Sequence, residues 1–360
     1  MSDTYTSYDL VEFGKPLQAR QRPMPKPQGT EVLLRIRRSG VCHSDIHIQD
    51  GYFDLGSMGK MSLAQRGLKL PVAMGHEMLG EVVALGPDAK ADGVTPGKTM
   101  LIFPWVGCGK CEACNEDREN DCINMQSYGV AQDGGYASHV LIRHPKFLVD
   151  VEGLDLDAVT PYACSGLTVF NALGKLGALR DGEWLAVIGC GGLGLNAIAI
   201  ARAMGFTRII GVDADANKLE AATEMGADKV LDASQPDAVK NLATLAEGRL
   251  MGVLDTVGLP ATSQLGVMAL TKTGRYLVVG LHGGDFKMPL PMLPQKALTV
   301  RGAFVGSSPQ LRELIALVRT GKVKPLIMES RPLSAASEAL DDLRAGKVTG
   351  RVVLNGDDPS

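Results

Sequence analysis

Four cysteines near position 110 have the spacing of a metal site. Cys108, Cys111, Cys114 and Cys122 are separated by two, two and seven residues. Such short spacings let four thiolates converge tetrahedrally on one Zn²⁺ and fill every coordination position, which defines a closed, structural site. The residues between them are mainly acidic, whereas a zinc ribbon that binds nucleic acid would carry cations there. We therefore predict a structural zinc. An iron–sulfur cluster is the alternative, but the sequence contains no second cysteine run for a partner cluster.

Three further residues could form a second, open metal site. Cys42 opens the motif Cys-His-Ser-Asp-Ile-His, His76 lies in Gly-His-Glu, and Cys164 precedes Ser-Gly-Leu-Thr. Two thiolates and one imidazole suit a catalytic zinc, because three protein ligands leave the fourth position free for water or substrate. Each residue alone is more often a buried packing residue, and only the neighbouring motif residues favour the metal site.

A glycine-rich turn at residues 188–194 reads Ile-Gly-Cys-Gly-Gly-Leu-Gly and lies between a predicted strand and a predicted helix. Gly189 permits the tight turn, Gly191 the approach of a pyrophosphate to helix N–H groups, and Gly194 close helix–strand packing, with Gly192 in the same turn. We expect a dinucleotide to bind here.

Asp213 ends the next predicted strand, nineteen residues after Gly194. Its carboxylate suits the two hydroxyls of a ribose and repels a 2′-phosphate, so NAD is predicted in preference to NADP. Cys190 has no part in this scheme and is predicted to be a small buried residue.

These motifs occur in the order found in the zinc-dependent alcohol dehydrogenases of the medium-chain dehydrogenase/reductase superfamily, which the chain resembles over residues 32–354. The resemblance implies an α/β architecture with two parts. One is a β-rich GroES-like catalytic domain with a structural-zinc lobe, expected at residues 1–162 and 304–360. The other is a Rossmann domain with a doubly wound parallel sheet, expected at residues 163–303.

The resemblance also assigns roles to individual residues. It implies Cys42, His76 and Cys164 as catalytic zinc ligands, with Glu77 beside the metal and Asp45 hydrogen-bonded to His76. Zinc at such a site lowers the pKa of an alcohol, which can then release hydride to a nicotinamide.

Proton release and cofactor binding involve residues near these ligands. In the similar family a hydroxyl at the position of Ser44 passes the alcohol proton, through the cofactor ribose, to a histidine at the position of His47. The alternative for His47 is a surface histidine without a role. His43 lies where relatives present Arg or His to the pyrophosphate, and Thr168 is a further expected cofactor contact. Lys218 resembles a ribose-binding lysine, and a solvated helix lysine is the alternative.

The elements that must position these residues follow two patterns. Up to about residue 150, short apolar runs are separated by Gly, Pro and Asp turns, which predicts a β-rich unit. From about residue 163, strands alternate with helical segments, which predicts a parallel sheet covered on both faces. Its six strands are expected at residues 185–188, 208–212, 229–231, 253–255, 275–279 and 299–301. Two later helices are predicted, one capped by Ser308 and one by Ser334.

Composition excludes several classes. The 360 residues carry 37 Lys plus Arg and 40 Asp plus Glu, a net charge of -3, with 45% hydrophobic and 21% charged residues. A disordered chain and a basic nucleic-acid binder are therefore disfavoured. Seven cysteines, an odd number with four crowded together, favour a reduced, cytoplasmic protein. Residues 184–201 lack charge but contain four glycines, so they are predicted to form a strand and a helix rather than a membrane span.

Two features depart from the family pattern. The interval between Cys42 and His76 is thirty-three residues, and the extra material at about residues 52–70 is interpreted either as an apolar pocket wall or as a surface loop. Trp105 lies near the position of an aromatic pocket wall in relatives, but a core tryptophan is an equal alternative.

We expect an NAD-dependent, two-zinc enzyme that interconverts primary or secondary alcohols, including bulky or aromatic ones, with aldehydes or ketones. Neither a nucleic acid nor a membrane is expected as a partner, and a homotetramer is favoured over a dimer by analogy. A polyol dehydrogenase is disfavoured because such relatives usually carry a carboxylate where Cys164 stands. A non-catalytic, zinc-stabilised nucleotide-binding protein is disfavoured by the presence of Ser44 and His47.

Overall fold

The fold is built on two large β-sheets. The computed structural model describes residues 3–91 and 93–358. One sheet has seven strands, with an order across the sheet of Leu148–Asp150, Thr99–Ile102, Glu77–Leu85, Val32–Gly40, Arg351–Asn355 and Met328–Pro332; His139–Ile142 also pairs with Val32–Gly40. The strand Val32–Gly40 pairs antiparallel with Glu77–Leu85, which places the residue after the first strand near the residue before the second. This pairing brings Cys42 and His76 close together at one end of the two strands.

The second large sheet has six parallel strands. Their order is Lys229–Asp232, Ile209–Asp213, Trp184–Ile188, Leu250–Asp255, Arg275–Val278 and Thr299–Gly302. All six predicted strands are confirmed to within a few residues. The central strand Trp184–Ile188 is buried along its whole length, as expected for a parallel strand covered on both faces. The chain therefore has the predicted α/β architecture, a doubly wound parallel sheet beside a β-rich unit.

Helices connect and cover these strands. The α-helices associated with the parallel sheet are Ser165–Leu176, Gly192–Ala203, Ala216–Glu224, Ala238–Leu245, Pro260–Ala269 and Met292–Lys296. The others are His43–Asp50, Glu112–Asn115, Leu156–Val159, Ser308–Arg319 and Ala336–Arg344. Shorter 3₁₀ turns lie at Gly56–Met58, Glu119–Asp121, Pro145–Phe147, Thr160–Ala163 and Leu333–Ala335.

Two smaller sheets complete the β structure of the described residues. One contains Gln18–Pro23, Thr4–Leu10 and Val72–Ala73, and the other is a hairpin of Tyr52–Asp54 and Lys60–Ser62. The hairpin begins two residues after the helix that carries Ser44 and His47. Part of the inserted segment is thus regular structure rather than an irregular loop.

Both predicted helix caps were wrong in position. The helix Ser308–Arg319 is capped by Ser307, whose Oγ accepts from the Gln310 backbone N–H at 3.3 Å, so Ser308 is already helical. Ser334 lies in the 3₁₀ turn Leu333–Ala335, because the chain tightens into that turn before the α-helix begins. Each error is one or two residues, the usual uncertainty of a helix boundary.

The uncharged stretch at residues 184–201 divides as predicted into the buried strand Trp184–Ile188 and most of the helix Gly192–Ala203. Across residues 3–91 and 93–358, the model has no helix with both the length and the apolar character needed to cross a bilayer. The proposed division at residues 162/163 and 303/304 stays a prediction. The seven-stranded sheet draws its strands from residues 32–150 and 328–355, and the parallel sheet from residues 184–302.

Candidate active site

Cys42, His76 and Cys164 each lie at the end of a regular element. Cys42 is the extended residue before the helix His43–Asp50, and its backbone N–H donates to the Asp45 carboxylate at 3.0 Å. His76 directly precedes the strand Glu77–Leu85, and Cys164 directly precedes the helix Ser165–Leu176. The three side chains are thus fixed by backbone that is itself hydrogen-bonded.

The three side chains converge on one point. Two Sγ atoms and one imidazole nitrogen lie within 4.8 Å of one another, and all three residues are buried. The Nε2 atom of His76 is buried without a hydrogen-bond partner, although buried polar atoms are nearly always paired. A hydrogen bond from Cys164, and the neighbouring His76, lower the pKa of the Cys42 thiol well below its ordinary value. An imidazole nitrogen without a hydrogen-bond partner thus lies close to two thiols, and one of these thiols has a lowered pKa. This set of atoms fits the ligands of a Zn²⁺ ion.

Asp45 fixes the orientation of the His76 ring. Its Oδ1 lies 2.9 Å from His76 Nδ1, and its Oδ2 accepts a 2.8 Å hydrogen bond from the Tyr136 hydroxyl. A carboxylate at Nδ1 holds the proton on that nitrogen and leaves the lone pair of Nε2 free for a metal. Tyr136 was not found from the sequence, because it lies in an ordinary Gly-Gly-Tyr segment with no motif.

Glu77 and Arg351 form a buried ion pair beside the three ligands. The Glu77 carboxylate contacts the Arg351 guanidinium through Oε2, and its Oε1 accepts from the Ser165 backbone N–H at 3.3 Å. Burial raises the pKa of Glu77 to about 7, although Arg351 opposes this effect. Arg351 was also missed from the sequence. Its signal was an arginine directly before the apolar run Val352, Val353 and Leu354 in the strand Arg351–Asn355.

A cavity of about 1520 Å³ opens in front of these residues. The walls include nearly every residue predicted for the cofactor and for proton release, namely His43, Ser44, His47, Thr168, Gly189, Gly191, Gly192, Gly194, Asp213 and Lys218. Cys42, His76 and Cys164 also line it, whereas Asp45 and Glu77 do not reach its surface. The structure therefore brings both motif groups to one cleft.

The glycine-rich turn has the shape that a dinucleotide requires. Gly189 has φ +90°, which an L side chain rarely adopts, and a Cβ on Gly194 would collide with the Gly189 carbonyl oxygen. A Cβ on Gly191 would meet nothing within 4 Å, so its backbone faces open space. This space and the adjacent N-terminus of the helix Gly192–Ala203 fit a pyrophosphate.

Asp213 is held at the end of its strand by backbone donors. Its Oδ2 accepts from the Cys190 N–H at 2.7 Å, and its Oδ1 accepts from the N–H groups of Ala214 and Asp215 at 2.8 and 3.1 Å. The carboxylate is therefore in a fixed position at the cleft wall. Cys190 itself is fully buried, as predicted.

Three histidines form a cluster at the cleft. The rings of His43 and His282 lie 4.7 Å apart, and the ring of His47 lies 5.0 Å from that of Phe53. Burial and the neighbouring His282 lower the pKa of His43 to about 4, and the same two causes lower the pKa of His47. At neutral pH His43 therefore offers an anion a hydrogen bond rather than a positive charge.

Trp105 combines both roles considered for it. It is buried, and its Nε1 donates to the Ala163 carbonyl at 3.0 Å. Its ring lies 5.2 Å from that of His76 and 6.0 Å from that of Phe304, and it lines the cleft. An aromatic surface thus lies directly beside the ligand set.

The four-cysteine lobe forms a separate cluster, with all four Sγ atoms within 4.8 Å of one another. The backbone N–H groups of Lys110 and Cys111 lower the pKa of Cys108 to about 6. The Sγ of Cys122 accepts N–H bonds from Cys108 and Asn124 at 3.4 Å each. Four converging sulfurs, of which Cys108 and Cys122 accept backbone N–H hydrogen bonds, fit a closed Zn²⁺ site.

Comparison with known proteins agrees with these sites. Residues 28–153 match a model described as "Alcohol dehydrogenase GroES-like domain", and residues 192–320 match one described as "Zinc-binding dehydrogenase". An NAD-dependent alcohol dehydrogenase of Sulfurisphaera tokodaii is 37% identical, over 96% of this chain and 98% of its own length. This chain belongs to the zinc-dependent alcohol dehydrogenase family.

Solved structures of family members superpose over nearly the whole chain. The alcohol dehydrogenase of Aeropyrum pernix has a TM-score of 0.87 at 30% identity, covering 97% of this chain and 99% of the other. Acetophenone reductase of Geotrichum candidum, in complex with NAD, has a TM-score of 0.85 at 28% identity and covers 99% of both chains. The predicted family and fold are therefore confirmed.

Proposed function

We propose that this chain is an NAD-dependent, zinc-containing alcohol dehydrogenase that interconverts primary or secondary alcohols, including bulky or aromatic ones, with aldehydes or ketones. The observation that carries the proposal is the convergence of Cys42, His76 and Cys164 around the unpartnered Nε2 of His76, at a cleft shared with the glycine-rich turn. The family and its NAD-dependent members support the same activity.

We propose two zinc ions per chain. Cys42, His76 and Cys164 would hold the catalytic ion, which supplies Lewis acidity toward the alcohol oxygen, and the four-cysteine lobe would hold the structural one. Asp45 keeps the His76 ring in position, and the pair Glu77 and Arg351 lies beside the ligands.

The chain's own residues would remove the alcohol proton. Ser44 and His47 are three residues apart on the helix His43–Asp50, hence on one face, and both line the cleft. The Ser44 hydroxyl would accept the alcohol proton at its oxygen while it releases its own hydroxyl proton, and neutral His47 would take up the proton that leaves the site.

Cofactor binding is assigned to other residues of the same cleft. The turn with Gly189, Gly191, Gly192 and Gly194 would take the pyrophosphate, and Asp213 would take two ribose hydroxyls and exclude a 2′-phosphate. His43, Lys218 and Thr168 line the same cleft and would complete the cofactor site.

We further propose a homotetramer in the cytoplasm. The strand Thr299–Gly302 lies at the edge of the parallel sheet and all four of its residues are exposed, so it offers unpaired backbone groups to a second copy. A dimer is the alternative. All seven cysteines are free thiols, which supports a reducing compartment.

The decisive experiment is an NAD-linked screen of primary, secondary, aromatic and polyol substrates with purified, zinc-replete protein, together with metal analysis. Two zinc ions per chain and alcohol-dependent NADH formation are expected. One zinc ion without turnover of any alcohol would reject the enzyme in favour of a zinc-stabilised nucleotide-binding protein. Selective turnover of polyols would instead identify a polyol dehydrogenase.

A further inference from the structure

The inserted hairpin at residues 52–62 contacts a loop of the parallel-sheet unit. The Ser57 backbone N–H donates to both Asp285 carboxylate oxygens at 3.1 Å, and the Ser57 hydroxyl donates to Oδ1 at 2.9 Å. Asp285 lies in the loop that follows the strand Arg275–Val278. Three hydrogen bonds on one carboxylate thus join two segments more than 200 residues apart.

Small residues allow this approach on both sides. A Cβ on Gly56 would lie 2.6 Å from Asp285 Oδ1, and a Cβ on Gly283 would lie 2.6 Å from the Asp54 carbonyl oxygen. Such distances are shorter than real Cβ contacts, so the two backbones meet without room for further side chains. The contact is close packing rather than a distant pairing of surface charges.

Aromatic rings form a second connection beside the first. Phe53 of the hairpin lies 5.0 Å from His47, His47 lies 5.9 Å from His43, and His43 lies 4.7 Å from His282 of the loop. The row of four rings runs from the hairpin, across the helix His43–Asp50, to the loop. Hairpin and loop are therefore joined at two places, and both contribute side chains to the cleft.

The bridge presents several large apolar side chains to the cleft, beside the polar Asp54, His282 and Asp285. Phe53, Leu55 and Met61 come from the hairpin and Leu281 from the loop. Leu55 and Leu281 remain 39% and 43% exposed, and Phe304, beside Trp105, remains 48% exposed. Large apolar side chains that line a cleft yet stay accessible form a surface that an apolar ligand can cover.

We propose that Ser57 and Asp285 form a latch that holds the hairpin over the cleft, and that the resulting apolar roof selects alcohols with a bulky apolar body. The substrate class depends on the proposed dehydrogenase function, whereas the latch does not. Both residues are positioning residues: they act through Phe53, Leu55, Met61 and Leu281, which would contact the body of the substrate. A small alcohol at the zinc end of the cleft would not reach this roof.

The test compares Ser57→Ala, Asp285→Ala and the double variant with the native enzyme, using 1-phenylethanol and 2-propanol at saturating NAD. We expect Asp285→Ala, which removes all three hydrogen bonds, to raise KM for 1-phenylethanol about ten- to a hundredfold, the range for loss of charged hydrogen bonds, with kcat/KM for 2-propanol unchanged. Ser57→Ala removes only the hydroxyl bond and keeps the two backbone N–H bonds, so it should raise KM less. The double variant should match Asp285→Ala, because no bond of the latch remains once the carboxylate is gone. Met58→Ala is the matched control, since Met58 lies in the same turn and is 84% exposed.

An equal loss for both alcohols, an unchanged KM for 1-phenylethanol, or additive effects in the double variant would overturn the proposed selection. A second measurement tests the latch without turnover: tryptic cleavage at Lys60 should be several-fold faster in Asp285→Ala than in Met58→Ala, with Ser57→Ala between the two. Unchanged cleavage would overturn the latch. If the native protein oxidises no alcohol, the proposed function fails, and the cleavage rates still decide the latch.

Discussion

Single residues decide whether the cleft can do chemistry, and Cys42 is the first. Cys42→Ala should abolish turnover and lower the zinc content from two to one per chain, because an open site that loses one of three ligands no longer retains its metal. The fold should survive, since Cys42 adds little to the core. Activity, zinc content and thermal unfolding measured together check this. Turnover at a near-native rate with one zinc per chain would contradict the assignment.

Asp213 should determine the choice of cofactor. Asp213→Ala should weaken the binding of NAD by about 1–3 kcal/mol, roughly ten- to a hundredfold, because it removes an acceptor for the ribose hydroxyls. It should also improve the relative use of NADP, because it removes a negative charge that faces the 2′-phosphate. The ratio of kcat/KM for the two cofactors measures the change. Asp232→Ala, at the end of the neighbouring strand, is the control. A ratio that does not move would exclude Asp213 from the ribose site.

His282 should control the pH dependence of alcohol oxidation. Only neutral His47 can accept a proton. Burial and the neighbouring His282 lower the pKa of His47, so kcat should begin to fall only when the pH is below the ordinary histidine pKa of about 6.5. His282→Ala removes a neighbour that opposes the charged form. The pKa of His47 should then rise and the acid limb of kcat should move to higher pH. The dependence of kcat on pH at saturating substrate, with His139→Ala as the control, checks this prediction. If the acid limb does not move, His47 takes no part in proton release.

At the scale of elements, we expect the stability of the four-cysteine lobe to depend on a bound zinc ion. Cys111→Ala should lower Tm and remove the structural zinc while the catalytic zinc stays bound, because the lobe has only two short helical turns, Glu112–Asn115 and Glu119–Asp121, between its ligands. Differential scanning calorimetry and metal analysis measure both effects. An unchanged Tm together with full zinc content would show that Cys111 does not ligate the structural zinc.

Elements also show which parts of the molecule the sequence could predict. The six parallel strands were found because strands such as Trp184–Ile188 are buried on both faces and therefore consist of uninterrupted apolar residues. The strand Val32–Gly40 has a local signal of the same kind, since Arg35 and Arg37 alternate along it with apolar residues and pair with Glu81 on its partly solvated face. In both cases the signal is local.

Other features have no local signal. The hairpin at residues 52–62 was not predicted, because its tip is bound by Asp285 from a distant loop. Tyr136 and Arg351 contact Asp45 and Glu77 only through tertiary structure. Motif spacing identified the residues lining the cleft, whereas the residues that hold them in place depend on pairs that a single sequence does not reveal.

At the scale of the whole molecule, assembly is a prediction that the edge strand supports. Static light scattering of the purified protein should give four times the mass of one chain. The exposed strand Thr299–Gly302 can pair two copies, and the association of two such pairs rests on the analogy with relatives. A mass of twice the chain would establish the dimer instead. A monomer at micromolar concentration would contradict both.

The pairing of the strand Val32–Gly40 with Arg351–Asn355 has a consequence for how the protein is made. These neighbours are separated by about 310 residues of sequence, and the backbone N–H of Val41 bonds the Val352 carbonyl at 3.0 Å. During translation the strands of the parallel sheet leave the ribosome before Arg351 does, so that unit can fold while the β-rich unit is still missing a central strand. The surroundings of Cys42 and Glu77 are complete only after this late segment has been synthesised. A nascent chain halted before residue 351 should therefore bind the proposed structural zinc but not the proposed catalytic zinc.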